Sequence, residues 1–137
     1  MFSEGEMKER FKFRVWDNER KCFFNDDEVV LYPNGEESFF NADYDFTECI
    51  VEQCTGLKDK NGKLIYEGDI VEIMVWDDYS EDMIETKGKV YWSKEDASFL
   101  IFVSYDGEYS LNSQETFYGQ EIKVIGNIHE NKELLDD

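Results

Sequence analysis

Asp69-Ile70-Val71-Glu72-Ile73-Met74-Val75-Trp76 places apolar side chains in both phases of a two-residue alternation, the pattern of a strand covered on both faces. It reads as the core strand, and its neighbours in sequence supply the rest of a sheet. Gly88-Lys89-Val90-Tyr91-Trp92 and the run from Phe99 to Tyr105 read as its partners, with Asp106-Gly107 turning into Tyr109 to Leu111. Ile122-Lys123-Val124-Ile125-Gly126-Asn127-Ile128 closes the domain ahead of an acidic tail, Glu133 to Asp137.

On the N-terminal side, Phe11, Phe13 and Val15 alternate with Lys12, Arg14 and Trp16, which predicts a strand with one face packed and the other mostly wet. Asp17 to Arg20 is a turn signal, and Lys21 to Phe24 returns as a hairpin. Val29 to Tyr32, Pro33-Asn34-Gly35 and Ser38 to Phe40 give a second hairpin, because Asn-Gly tolerates positive φ. Cys49-Ile50-Val51 is a short β segment, and Gly56 to Gly62 a polar loop. The fold class expected is all-β and mostly antiparallel, a small barrel or meander preceded by N-terminal hairpins. Asp77 to Glu85 and Ser113 to Phe117 each leave room for a short helical turn. With no repeat or linker, any division falls near Thr55 to Lys63. The expected layout is a leader 1–6, a domain 7–135 with a hairpin lobe 7–55 and a barrel-like lobe 56–130, and an acidic tail 131–137.

The 137 residues carry 33 Asp plus Glu against 14 Lys plus Arg, a net charge of −19. Direct nucleic-acid backbone binding and anionic-membrane binding are excluded as generic functions, since both need a cationic surface. The 41% hydrophobic and 16% aromatic content is nevertheless enough to fold. The longest apolar run, Phe99 to Val103, is far short of the roughly 20 residues of a membrane span. The N-terminus is acidic where a secretory signal would be basic and then apolar, so a cytoplasmic location is expected. Cys22, Cys49 and Cys54 are odd in number without CxxC spacing, and read as reduced, buried thiols.

Basic residues cluster at the start: Lys8, Arg10, Lys12, Arg14, Arg20 and Lys21. From Phe24 to Leu57, and again from Leu64 to Thr86, there are acids and no Lys or Arg. Such stretches call for salt, cations or a cationic partner nearby, or else form a solvated halo that maintains solubility. One partner that fits is a second copy, whose basic first hairpin would meet the acidic midsection through Lys12, Arg14 and Trp16. Trp16, Trp76 and Trp92 read first as core packing, with a place at an interface as the alternative.

Motifs for chemistry are weak. Gly56 to Leu64 imitates a phosphate loop, but five residues separate the glycines and Leu64 replaces the hydroxyl residue that would reach magnesium. His129 is the only histidine, which removes multi-His metal sites; a nucleophilic triad would have to use it, but it lies just past the last strand, at a chain exit. Carboxylate pairs such as Asp26-Asp27, Asp77-Asp78 and Glu81-Asp82 arise from composition, and Asp77 to Glu85 lacks the DxDxDG order of a calcium loop. No catalytic, cofactor-binding or metal-binding residue is assigned, and a carboxylate-based hydrolase is the remote alternative.

Three segments carry more together than any motif alone: Lys12-Phe13-Arg14-Val15-Trp16-Asp17; Gln53-Cys54-Thr55-Gly56-Leu57-Lys58-Asp59-Lys60-Asn61-Gly62-Lys63-Leu64-Ile65-Tyr66-Glu67-Gly68-Asp69-Ile70-Val71; and Val124-Ile125-Gly126-Asn127-Ile128-His129-Glu130-Asn131 with Leu134-Leu135. In order and spacing they resemble the YopX family of phage and prophage proteins, from about Met7 to Leu135. The resemblance implies a mostly β protein of Gram-positive phages with a barrel-like, SH3-reminiscent C-terminal part, and implies no reaction. Met1 to Glu6 precede the usual start, and the acidic stretch Trp76 to Glu85 falls where such proteins vary.

Physically, the signature residues Trp16, Gly56, Gly62, Tyr66, Gly68, Asp69, Gly126 and Asn127 read as a structural corner at least as readily as a binding site. The glycines mark reversals, the Asp69 carboxylate accepts turn N–H groups, and Tyr66 covers the corner. The functional expectation is a non-enzymatic interaction or assembly module, partnered by itself or by a cationic host or phage protein. The alternative is an acidic decoy of a host nucleic-acid-binding protein.

Overall fold

The computed structural model describes residues 11–39, 49–103, 107–110 and 122–135. Its strands are β1 (Phe13–Asp17), β2 (Cys22–Phe23), β3 (Val29–Leu31), β4 (Glu37–Phe39), β5 (Cys49–Lys58), β6 (Leu64–Tyr66), β7 (Asp69–Asp77), β8 (Asp82–Ser93), β9 (Ser98–Val103), β10 (Gly107–Ser110) and β11 (Lys123–Asn127). A 3₁₀ turn, Lys132–Leu135, follows. The fold is all-β with antiparallel pairing, and one of its sheets curls into a half-barrel. No helix among the described residues is long and apolar enough to cross a membrane. The leader 1–6, the 113–117 turn, the strand ends at Phe40, 104–106 and Leu111, and the tail's last residues 136–137 lie outside the described residues.

The chain divides into two compact units, Phe13–Glu52 and Gln53–Asp137 together with Met1–Lys12. In the first, β2, β1 and the start of β5 lie side by side, and β3 pairs β4 through Val29↔Phe39 and Leu31↔Glu37. Gly35 takes φ +87 in that turn, as Asn-Gly foretold. Trp16 and Phe23 are cross-strand partners whose rings meet edge to face at 5.0 Å. Arg14 lies over the Phe23 ring while its Nε donates to Glu52 Oε1 at 2.9 Å.

The facing expected for the first strand is corrected. Val15, Trp16 and Asp17 are all buried while Phe11 and Phe13 are exposed, so alternation gives way to a strand covered on both sides at its C-terminal end. β5 is also longer than the short segment expected. It runs through Gly56, whose φ of +84 sits in a bulge where the register with β6 shifts between Cys54↔Tyr66 and Lys58↔Leu64. Thr55 closes the bulge, its Oγ1 donating to the Ile65 carbonyl and accepting the Leu57 N–H. Gly56 therefore kinks a strand and does not open a loop.

In the second unit β10-β9-β8-β7-β11 form one antiparallel sheet. Only the first part of β7 is covered on both faces; past Glu72, Ile73 and Val75 are buried while Met74 and Trp76 are exposed. The inner face gathers Val71, Ile73, Val75, Val90, Ile101, Val103 and Val124 with Ile65 and Ile122 into one core. Gly88 lies under this layer. A Cβ there would stand 2.5 Å from Ile101 Cγ2 and 2.8 Å from the Phe102 carbonyl oxygen, so glycine lets β8 and β9 close.

Three hairpins share one turn that contains no glycine. Asp17↔Cys22, Asp77↔Asp82 and Ser93↔Ser98 are each paired residues five apart, and the residue before the returning strand, Lys21, Glu81 or Ala97, takes φ of 60, 55 or 50. In each, the first side chain accepts the N–H three residues on: Asp17 from Arg20, Asp77 from Ser80, Ser93 from Asp96. The 77–85 segment is thus a β-hairpin, and the helical turn expected there is corrected. The backbone donors that a helix would use are taken by the turn's own side chains.

Two outcomes follow from these geometries. Ala97→Gly removes the left-handed penalty and raises stability by about 1 kcal/mol in urea denaturation, an idea that fails if the midpoint falls. Gly88→Ala overpacks the sheet and lowers stability by about 1–3 kcal/mol in the same assay.

Candidate functional site

The signature segment folds around a side chain the sequence reading passed over. Asp59, at the β5–β6 turn, is buried. Its Oδ1 accepts the N–H groups of Asn61 and Lys63, both at 2.9 Å, and its Oδ2 accepts that of Val124 at 2.9 Å. Lys60 N–H donates in turn to the Ile122 carbonyl. One carboxylate thus shapes a tight turn, with Gly62 at φ +83, and fastens it to β11, which pairs β7. Burial alone would push the Asp59 carboxyl up, but the backbone donors and the Lys63 ammonium outweigh it and hold it below the ordinary aspartate range.

The other signature residues are spent in the same way. Asp69 is buried, and its Oδ2 accepts the Tyr66 N–H at 2.8 Å across a turn where Gly68 has φ +85. Tyr66 is half-buried at that turn. Gly68 N–H donates to the Val90 carbonyl, and Ile128 N–H donates back to Gly68. Asn127 Oδ1 accepts from His129 and Glu130, so the turn after β11 is built by a side chain and places His129 at the strand's exit. Gly126 is required by proximity, not by φ: an added Cβ would lie 2.6 Å from Asn131 Oδ1. The phosphate-loop imitation is a hairpin turn whose N–H groups Asn61 and Lys63 already serve Asp59.

Of the candidate interface residues, Trp16 is 2% exposed and belongs to the interior, a correction that follows from its packing on Phe23. Arg14 is held by Glu52 and Phe23, and Lys12 is exposed. Arg20 is likewise engaged, by Asp17 at 2.6 Å and Glu28 at 3.2 Å. The cysteines differ from expectation too: Cys54 is buried, Cys49 intermediate and Cys22 exposed. Among the described residues no three His, Cys, Asp or Glu side chains are grouped to hold a metal ion.

One exposed apolar patch lies on the outer face of β7 and β8. Met74 and Trp76 alternate outward from the core side of β7, and Trp76 pairs directly with Met83 of β8. Trp76 is 55% exposed, with Met74, Met83 and Phe102 of β9 also exposed, and Tyr79 stands at the hairpin tip. Trp76 Nε1 donates to Asp78 Oδ1 at 3.0 Å, which fixes the indole beside the acids of the turn. Trp92 is partly exposed at the opposite end of β8 and rests edge to face on Phe99. Period-2 alternation over Met74 and Trp76 could have found this face, but the apolar phase opposite hid it.

Asp17 and Asp59 both have lowered pKa values, Asp17 because Arg20 and turn N–H groups overcome its burial. Folded values below the unfolded ones mean their stabilisation is complete above about pH 4 and is lost as pH falls through the folded values. Asp59→Asn replaces an acceptor oxygen by a donor facing an N–H. It lowers stability at neutral pH by about 1–3 kcal/mol and flattens the acid limb of a stability–pH profile; an unchanged limb overturns the assignment.

A family model described as YopX protein matches residues 12–136. The SPbeta prophage-derived uncharacterized protein YopX of Bacillus subtilis (strain 168) is 28% identical over 134 residues, covering 90% of this chain and 95% of that protein. Among solved structures, the crystal structure of protein EF1440 from Enterococcus faecalis matches with a TM-score of 0.55 and 28% identity, over 91% of this chain and 97% of that one. The match runs through β1, the Asp59 turn, the Gly68-Asp69 corner and β11, the parts whose hydrogen bonds define the fold, and the chain belongs to the YopX family.

Proposed function

We propose that this protein is a phage- or prophage-encoded, cytoplasmic interaction module that acts by binding another protein, not by catalysis. The observation that carries the reading is the pair of faces on β7 and β8: one side forms the core, while the other holds Met74, Trp76 and Met83 open to solvent. Large flexible and aromatic side chains in that arrangement are the usual anchors of a protein contact. The prophage origin of the Bacillus relative supports the source.

Four carboxylates are displaced away from acid catalysis. Asp17, Glu28, Asp59 and Asp77 are all held below the ordinary carboxylate range, Glu28 by the Asn25 N–H and Arg20, Asp77 by Ser80. A general acid needs the opposite displacement. The decoy reading rests on the acidic tip, Asp77 to Glu85, where no cation interrupts the charge.

Capture from host lysate with the wild type and with Trp76→Ala/Met83→Ala tests the proposal. Both variants keep their thermal midpoint, because these side chains are exposed, and the doubly substituted protein loses its retained partner. Equal capture by both proteins overturns the assignment of the face. Retained partners that bind nucleic acid and elute in about 1 M salt, where screening is nearly complete, would select the decoy reading.

A further inference from the structure

Among the described residues of the second unit, exposed lysines gather at the β5–β6 turn and exposed acids at the β7–β8 turn. Lys60 and Lys63 stand on the β5–β6 turn, and Lys123 follows Ile122, whose carbonyl accepts the Lys60 N–H. All three are exposed, and Lys58 flanks them. The carboxylate in their midst, Asp59, is buried and spends its oxygens on backbone donors; its attraction for Lys63 leaves the other lysines outward. Lys123 is opposite Glu72 in the ladder, which leaves Lys60 and Lys63 as the outermost charges of the corner.

The β7–β8 tip presents Asp78, Glu81 and Asp82 around Trp76, Met83 and Tyr79. From Glu72, which pairs Lys123, to Asp77 the strand advances five residues, or about 17 Å at 3.4 Å per residue. A lysine corner and an acidic, apolar tip that far apart cannot satisfy each other within one copy.

We infer that the occupant of the Trp76–Met83 face is a second copy of this chain, which docks its Lys60–Lys63 corner against the acidic tip. The inference rests on the binding proposal and names its partner. It also replaces the first hairpin as the cationic side of a self-contact, because Arg14 and Arg20 are already engaged by Glu52, Asp17 and Glu28. Lysine stems cover the Trp76 and Met83 side chains while their ammonium groups meet the carboxylates. When each copy offers both patches to the other, the contact is an isologous two-fold dimer; otherwise it is heterologous and closes into a ring. The net charge of −19 opposes association at long range, but at about 0.15 M salt the Debye length of roughly 8 Å screens remote acids and spares pairs in contact.

Sedimentation of the full chain tests this. The wild type associates at about 0.15 M salt and dissociates at least about tenfold more readily near 1 M. Lys60→Glu/Lys63→Glu and Asp78→Lys/Glu81→Lys each sediment as monomers, and the protein carrying all four substitutions associates again, because the charges are exchanged and not removed. A wild type monomeric at about 0.15 M, or association indifferent to either reversal, or no recovery in the fourfold variant overturns the inference. A monomeric wild type that still captures a partner through Trp76 sinks this inference alone; one that captures nothing sinks the binding proposal with it.

Discussion

A single buried carboxylate sets the geometry of the second unit. Asp59 must find donors once it is taken out of water, and it finds them in its own turn and in Val124, 65 residues away. That bond holds β11 against the turn, β11 holds β7, and β7 with β8 and β9 forms the core layer. An uncharged residue of the same size would leave at least one N–H unserved. The segment KDKNGK is therefore a fastening between distant strands, and the glycine in it only makes the turn compact enough.

Much of the acidic excess has the same use. Asp17, Glu28, Glu67, Asp69 and Asp77 each accept a backbone N–H, as Asp59 does, at turns and strand ends where no ladder partner exists. A short-stranded β protein has many such ends, and a carboxylate satisfies a donor more strongly than a neutral side chain does. The charge that reads as a halo or a partner signal is in part turn chemistry. At the β7–β8 tip, Asp78, Glu81 and Asp82 stand exposed beside Trp76 and Met83.

The hairpins show where sequence signals and structure part. Asn34-Gly35 and Asn61-Gly62 were legible because glycine at positive φ leaves a plain mark. The turns ending at Lys21, Glu81 and Ala97 place ordinary residues in that region, held by an Asp or Ser side chain at the turn's start. Their mark is an acceptor side chain three residues before its donor, which in a chain this rich in Asp and Ser is lost among others. Gly56 misled in the other direction: it looked like the start of a loop and lies in a bulge.

The amino-acid sequence alone determined the all-β class, the order of the main strands, the corner at Gly68-Asp69 and the family. All of these are written in local alternation, in glycine spacing and in a contiguous signature. Only the tertiary structure decided that Trp16 is interior, that Asp59 joins strands far apart in the chain, and that Met74, Trp76 and Met83 share an open face. Each of those depends on which backbone donors and which neighbouring side chains arrive from elsewhere, and alternation along one strand reports two faces without saying which of them another layer will cover.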